Sequence, residues 1–349
     1  MLSALLLHAP TLSLLCFSSS LQPQPKPRPS MASCSLVRIA VVGDVHDDWD
    51  LEEDTKALQF LKPDLLLFTG DFGNENVELV QNVAALNFPK AVILGNHDSW
   101  STQQFSSKKK DRVQLQLECL GQEHVGYKRL DFPLLKLSVV GGRPFSCGGQ
   151  RIFRKRLLSA RYGIQEMDES AKRIYKAALG TPEDHLVILL AHNGPTGLGS
   201  ELNDICGKDW VFEGGDHGDP GNLSGFGSFQ YLAQAISHLK QTATFSIPLV
   251  VFGHMHKELA HGNGLRKMIV VGSDDIIYLN GAIVPRVRPI NKTPLQASNS
   301  DGTNRAFTLV EISNGQVDKI SESWVSVVGD ETTLEEEHIL FKSNGQSSL

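Results

Sequence analysis

Cysteine is scarce in this chain, and what there is does not pair. The five cysteines, Cys16, Cys34, Cys119, Cys147 and Cys206, are odd in number and widely spaced, with no C-x-x-C among them. That argues against a disulfide framework and against a closed thiolate zinc site. The folded part has the cysteine usage of a reducing compartment. No apolar run reaches the roughly 18 residues that a membrane-spanning helix requires, so no span is expected. Excess positive charge is missing too: the formal net charge is −6, basic and aromatic residues do not interleave, and a long nucleic acid is not an expected partner. Acidic residues are absent from one place. Residues 1 to 43 contain no Asp or Glu, are rich in Ser, Leu and Pro, and pass through Gln22-Pro23-Gln24-Pro25-Lys26-Pro27-Arg28-Pro29. These are the marks of an organelle transit peptide, placed here at 1–34, and the scarcity of early arginine favours a plastid over a mitochondrion. The competing readings are a secretory signal, whose apolar stretch is interrupted by His8 and Pro10, and a disordered tail with an internal start at Met31.

What is present is enough for one large core, with 41% of the 349 positions hydrophobic and 21% charged. One elaborated catalytic domain is expected at 35–328, with an insertion at about 142–182, a loop at 207–227 and a polar tail at 329–349. Apolar runs in this domain repeatedly stop in metal-ligand residue types. Leu36 to Val42 delivers Asp44 and His46, which as residues i and i+2 of an extended segment would face one way. A helix follows, started by Asp50 with Glu53 and closed by Pro63. The run Asp64 to Thr69 ends in Gly70-Asp71, and a helix at about Glu75 to Leu86 leads to Val92-Ile93-Leu94 and then Gly95-Asn96-His97-Asp98. This β-α-β-α-β order implies parallel strands with right-handed crossovers.

Further along, Lys108-Lys109-Lys110 has the character of a solvated loop end opening a helix. Leu134 to Val140 is a strand ending in Gly141-Gly142-Arg143-Pro144, the basic segment Arg151 to Arg161 is assigned to the surface, and Asp168 to Leu179 is a helix. His185 to Ala191 ends in His192-Asn193. The Gly- and Asp-rich stretch behind it holds Asp209, Trp210, Asp216, His217 and Asp219, and is long enough to be a lid or substrate wall. A helix at about Phe229 to Leu239 precedes Ile247 to Phe252, which delivers Gly253-His254-Met255-His256. Met268 to Val271, Ile276 to Leu279, Ala306 to Ile312 and Val317 to Val327 are expected as strands of a second sheet, and the end beyond Gly329 as a loosely attached tail.

The strand-end set is Asp44, His46, Asp71, Asn96, His97, Asp98, His192, His254 and His256, with five of the twelve histidines. Carboxylate oxygen and imidazole nitrogen without thiolate suit Mn, Fe or Zn in a catalytic site. The set is too large for one ion and, with Asp71 central, fits two divalent ions roughly 3.5 to 4 Å apart. The ordered series D-x-H, G-D, G-N-H-D, an isolated His192 and G-H-x-H resembles the calcineurin-like metallophosphoesterases over about residues 36 to 275. That resemblance implies an α/β fold, a four-layer α/β/β/α sandwich of two facing mixed sheets flanked by helices. It also implies Asp44, His46, Asp71 and His256 on one metal, and Asp71, Asn96, His192 and His254 on the other. Chemistry of that kind attacks a phosphomonoester or phosphodiester with a hydroxide bridging the two metals. His97 is then free to act as general acid, with Asp98 orienting its ring. Arg143 and His217 are candidate phosphate contacts beside Asn96. Their plainer readings are a surface arginine before a proline and a turn-forming Asp216-His217-Asp219 cluster.

Departures narrow the resemblance. Asp71 is followed by Phe72-Gly73-Asn74 rather than x-V-D-R-G, and the fourth motif residue is Asp98 rather than Glu, which argues against the Ser/Thr phosphoprotein phosphatase branch. Asn74 stands where the purple acid branch has its ligand tyrosine. A compact enzyme resembling plastid and cyanobacterial members, acting on a small phosphorylated substrate, is the leading expectation. The alternatives are a nucleotide pyrophosphatase or nuclease and a non-catalytic metal-binding scaffold of the same fold.

Overall fold

Alternation along the central strands decides the layers. Successive residues point to opposite faces, and here both faces are apolar, as in strands covered on two sides. The computed structural model describes residues 36–149, 151–199, 201–218, 231–242, 245–260, 262, 264–273, 275–290 and 302–343. The expected transit peptide and Asp219 lie outside them. The first half runs β1 (Val37–Val42), α1 (Leu51–Leu61), β2 (Leu65–Phe68), α2 (Val77–Ala84), β3 (Lys90–Val92), α3 (Arg112–Leu120), β4 (Arg129–Phe132) and β5 (Leu137–Gly141). It continues with α4 (Lys155–Tyr162), α5 (Met167–Ala178), β6 (Leu186–Asn193), α6 (Tyr231–Thr242), β7 (Leu249–Gly253), β8 (Ile269–Val271) and β9 (Ile277–Asn280). The last elements are β10 (Val287–Pro289), β11 (Thr303–Ser313), β12 (Gln316–Val328) and β13 (Glu331–Lys342).

One sheet has the order β13-β12-β11-β1-β2-β3, with β10 on β11, and the other the order β4-β5-β6-β7-β9-β8. The β1-β2-β3 ladder is parallel, as is β5-β6-β7-β9. Antiparallel strands complete each side, so both sheets are mixed. Ile39 and Val41 of β1 with Leu65 and Leu67 of β2 pack against Ile188, Leu190, Leu249 and Val251 of the other sheet. Their neighbours Ala40, Val42, Leu66 and Phe68 turn the other way into a cluster with Ala57 and Leu58 of α1 and Val80 and Val83 of α2. Helix, sheet, sheet, helix is therefore the layer order, the expected four-layer sandwich.

The helix starts follow local chemistry. Asp50 accepts the Glu53 backbone N–H at 2.9 Å, and α1 ends at Lys62, which takes a left-handed conformation before Pro63. Asp111 caps α3 in the same way through Gln114, leaving Lys108 to Lys110 exposed ahead of the helix.

Three expectations are corrected. The four late strands do not form one sheet of their own. β8 and β9 extend the sheet of β7, whereas β11 lies antiparallel on β1 with Ile39 opposite Val310. Apolar pattern marks a strand but not its neighbour. Nor is the stretch just beyond Gly329 a loose tail: β13 pairs with β12 from Val328 opposite Glu331 to Lys319 opposite Lys342, and 344–349 lie outside the described residues. Its run of Glu335, Glu336 and Glu337 resembles a solvated tail in sequence, yet charge is how an edge strand is kept from pairing further, and Glu337 answers Lys319 at 2.7 Å. Finally, Pro133–Leu135 is a turn, so the strand expected from Leu134 begins at Leu137, and β4 precedes it unannounced.

Two arginines tie α1 to the far strands. Arg286 Nη2 donates to Asp54 Oδ1 at 2.7 Å and Arg305 Nη1 to Asp54 Oδ2 at 2.6 Å, with Asp54 fully buried. Asp54→Ala leaves the buried Arg286 cation without a carboxylate, while Arg305 keeps Glu53, and should lower the unfolding free energy by ~3 kcal/mol. Urea denaturation measures it; a loss under about 1 kcal/mol would mean water takes over the role of the carboxylate.

Candidate metal centre

The two sheets deliver their polar ends to one place. Asp44, His46 and His256 form one group and Asp71, His192 and His254 another, the potential ligand atoms of each group lying within 4.8 Å of one another. Asp71 joins them, its Oδ2 standing 3.4 Å from His192 Nε2 and 4.0 Å from His46 Nε2. Asn96 Oδ1 is 2.9 Å from His192 Nε2. All seven expected ligand residues are thus brought together.

The route by which they arrive differs from the sequence argument. β1 stops at Val42, and Asp44 and His46 both take left-handed backbone, with φ of 48° and 44°. A turn, not an extended segment, aims them at one group. Asp71 and His254 are left-handed as well, at φ 53° and 71°. Strain of this kind persists where surrounding contacts over-determine it. Those contacts are specific: Asp44 Oδ1 accepts the His254 N–H at 2.9 Å and Asp71 Oδ1 accepts the His97 N–H at 2.8 Å. Each aspartate holds an opposing loop with one oxygen and turns the other to the histidines. Glycine makes the approach possible, since a Cβ on Gly95 would lie 2.2 Å from Asp71 Oδ1 and one on Gly253 would lie 2.3 Å from Asp44 Oδ1.

The part expected of Asp98 is corrected. Its carboxylate does not meet the His97 ring; it accepts the backbone N–H groups of Asp71 and Phe72 at 2.9 Å and of Gly95 at 2.7 Å. It is fully buried and locks two loops together. The His97 ring is oriented instead by Asn74, whose Oδ1 lies 2.7 Å from His97 Nδ1, and by Trp100, stacked on it at 4.6 Å and 6°. Neither partner was singled out for this from sequence; Asn74 is three residues past Asp71, but its reach to His97 exists only in the fold.

The electrostatics favour cations. Burial opposes charge on His192, yet the charge and hydrogen bond of Asp71 raise its imidazole to about 9. Burial and the His192 charge together push His254 down to about 3. Burial also raises the Asp71 carboxyl, but the charge and hydrogen bond of His192 outweigh it and hold Asp71 below the ordinary range. Burial and the Asp71 charge push Asp98 well above it.

The donor set fits metal on three observations. Asp44 Oδ2 is buried and, among the described residues, has no well-formed hydrogen bond, with His256 Nε2 standing off at 3.4 Å. His46 Nε2 and His256 Nε2 face each other at 3.0 Å. His192 Nδ1 lies 2.7 Å from the Thr69 carbonyl oxygen and so donates to it, leaving Nε2 aimed at two oxygen acceptors. A cation at each place resolves all three.

Around the groups lies a pocket of about 340 Å³. His217 lines it and stacks on His254 at 5.5 Å, which places this candidate beside the site, whereas the Asp216 carboxylate accepts from Thr196, Gly197 and Gly218 as a turn-former. Arg143 is neither a surface residue nor part of the pocket lining. It is buried, donating to Met167 Sδ and Ser146 Oγ at 2.9 Å, because the helices of the 142–182 region pack over it. The basic segment Arg151 to Arg161 is not wholly surface either: Arg154 donates to the Ser99 and Trp100 carbonyls and so braces the turn that carries His97. Arg266, with no signal in the sequence, lines the pocket and ties its walls together.

A family model described as calcineurin-like phosphoesterase matches residues 37–258, and the chain belongs to that family. It is a hydrolase of phosphoric ester bonds with a metal-dependent site. No curated protein matches the sequence. Among solved structures, the chain is similar to GAP50, the anchor in the inner membrane complex of Plasmodium, at 13% identity and TM-score 0.41, covering 90% of this chain and 91% of that one. It is similar to a dimetal phosphatase from Danio rerio at 9% identity and TM-score 0.38, covering 88% and 99%. A phosphopantetheinyl hydrolase from Mycobacterium tuberculosis follows at 12% identity and TM-score 0.35, covering 69% and 87%. Among the described residues no helix is long and apolar enough to cross a membrane.

Gly95→Ala tests the packing of the centre. The added methyl displaces Asp71 or His192, and elemental analysis after loading should find at least one metal lost per chain, with the melting temperature lowered by the overpacking and by the lost metal. Full occupancy in this variant would show that the loop yields without cost.

Proposed function

We propose that the chain hydrolyses a phosphomonoester or phosphodiester of a small molecule, with His97 as general acid. The observation that carries this reading is the position of Asp71, which faces both histidine groups with one oxygen and holds the His97 backbone with the other. Asp44, His46, Asp71 and His256 would hold one divalent ion, and Asp71, Asn96, His192 and His254 the other. When bound, such a pair lowers the pKa of water and offsets charge on the phosphoryl oxygens. Oxygen and imidazole donors without thiolate support Mn, Fe or Zn.

The chain's own groups do the rest. Asn74 accepts from His97 Nδ1–H, so in the imidazolium the opposite nitrogen, Nε2, carries the proton available to the leaving oxygen. Trp100 stacks on the ring and restrains its rotation. Asp98 keeps the Asp71 and Gly95 backbones in register and is a positioning residue. A water oxygen forms the new P–O bond as the ester P–O bond breaks, and the leaving oxygen takes the His97 Nε2 proton and departs as the alcohol.

The test uses the full chain with Mn, and with chelator as control, on p-nitrophenyl phosphate and bis-p-nitrophenyl phosphate. Turnover should need metal, and the faster ester assigns monoesterase or diesterase. His97→Ala should retain both metals and lose about 10²- to 10⁴-fold in kcat, more on alkyl than on aryl esters. Asp71→Ala should lose metal. Equal metal loss in the two variants would overturn the role of His97.

Composition supports a plastid location for this member of the family, through the acid-free, Ser-, Leu- and Pro-rich start. Residues 1 to 43 fused ahead of a fluorescent protein should direct it to plastids in a leaf cell; retention in the cytosol or entry to the secretory route would sink the assignment.

A further inference from the structure

Beyond the two histidine groups, the pocket wall is aromatic and acidic. Trp100 stacks on His97, and His97 meets His46 edge-on at 4.9 Å. The same order recurs on the other side: Trp210 stands perpendicular to His217 at 4.7 Å, and His217 stacks on His254. Each tryptophan is two ring contacts away from a histidine of one group. Both line the pocket, and both are 48% exposed. Indole left open beside a site for a small anion is surface that the rest of a substrate can cover.

Charge narrows what that remainder is. Among the described lining residues Arg266 is the one lysine or arginine, and its guanidinium is already engaged. It donates to the carbonyls of His256 at 2.9 Å, Asp204 at 2.8 Å and Gly207 at 2.7 Å, and pairs with Asp209 at 3.2 Å. Glu258 adds an exposed carboxylate to the same wall. A second phosphate or a carboxylate on the leaving side would meet, among the described lining residues, the Glu258 carboxylate and no lysine or arginine other than the engaged Arg266. A flat uncharged ring meets two indoles.

We infer that the substrate is the phosphate ester of an uncharged aromatic alcohol, its ring lying against Trp100 and Trp210 while the phosphoryl group sits between the histidine groups. The inference rests on the phosphoesterase reading above and names the substrate class. Ring on ring adds to what area burial alone provides, which separates an aromatic from an alicyclic group of equal size. Quaternary ammonium groups are also recognised by indole faces, so they form the competing case.

The experiment compares kcat/KM of the Mn-loaded full chain on phenethyl phosphate, cyclohexylethyl phosphate and phosphocholine. The first two share the same kind of leaving oxygen and nearly the same size. In parallel, calorimetry compares binding of phenylpropylphosphonate with cyclohexylpropylphosphonate, which cannot be hydrolysed. The phenyl member should be favoured about three- to tenfold in both measurements. Trp210→Leu should remove the preference, and Trp210→Phe should keep it. No preference in either measurement, a preference surviving Trp210→Leu, or faster turnover of phosphocholine would each overturn the inference. A binding preference for the phenyl phosphonate with no turnover of any ester would support the aromatic wall and sink the phosphoesterase reading instead.

Discussion

The carboxylate of Asp71 is the constraint on which the rest of the centre depends. It has two oxygens and gives each a different task. Oδ1 holds the His97 backbone N–H, and Oδ2 faces His192 and His46. Its own N–H is held by Asp98, which also takes the N–H of Gly95. Loops after β2 and β3 are thereby bolted to each other, and both are presented to the histidines that end β6 and follow β7. A buried charge this heavily engaged is stable only where opposing charge is close. The imidazoles supply part of that charge, and the donor set is suited to metal supplying the rest.

Holding the groups there takes backbone that residues with a Cβ seldom adopt. Asp44, His46, Asp71 and His254 all lie in the left-handed region, where each costs ~1–3 kcal/mol. The sandwich absorbs this because its central strands are covered on both faces, one by the opposite sheet and one by helices. Rigid strands carry strained ends, and strained ends aim side chains that regular strands would point elsewhere.

The pocket has two kinds of surface. The floor of the pocket is histidine and carboxylate, and its rim is indole. The cations close by serve structure: Arg143 is turned inward to Met167 and Ser146, Arg154 braces the turn behind Trp100, and Arg266 staples the 201–217 segment to the backbone of His256.

Much of this was legible in the chain before any fold was in view. The runs ending in Gly43, Gly70, Gly95 and Gly253 announced strands, and the groups behind them announced metal chemistry, because apolar pattern and residue type are local properties. Apolar pattern marks the late strands but not their partners, and β13 resembles a tail in sequence, because strand pairing is a long-range property that an edge strand with outward charges conceals. Adjacency in sequence likewise points Asp98 at the His97 ring, and only the fold turns it to the Asp71, Phe72 and Gly95 backbone. By itself the sequence determined which chemical groups stand at the strand ends, and in what order. Only the tertiary structure decided which oxygen and which ring each group meets, as with His97 and Asn74, 23 residues apart, or His46 and His256, 210 apart. Such contacts are set by how two sheets pack face to face, and no local pattern of residues encodes that.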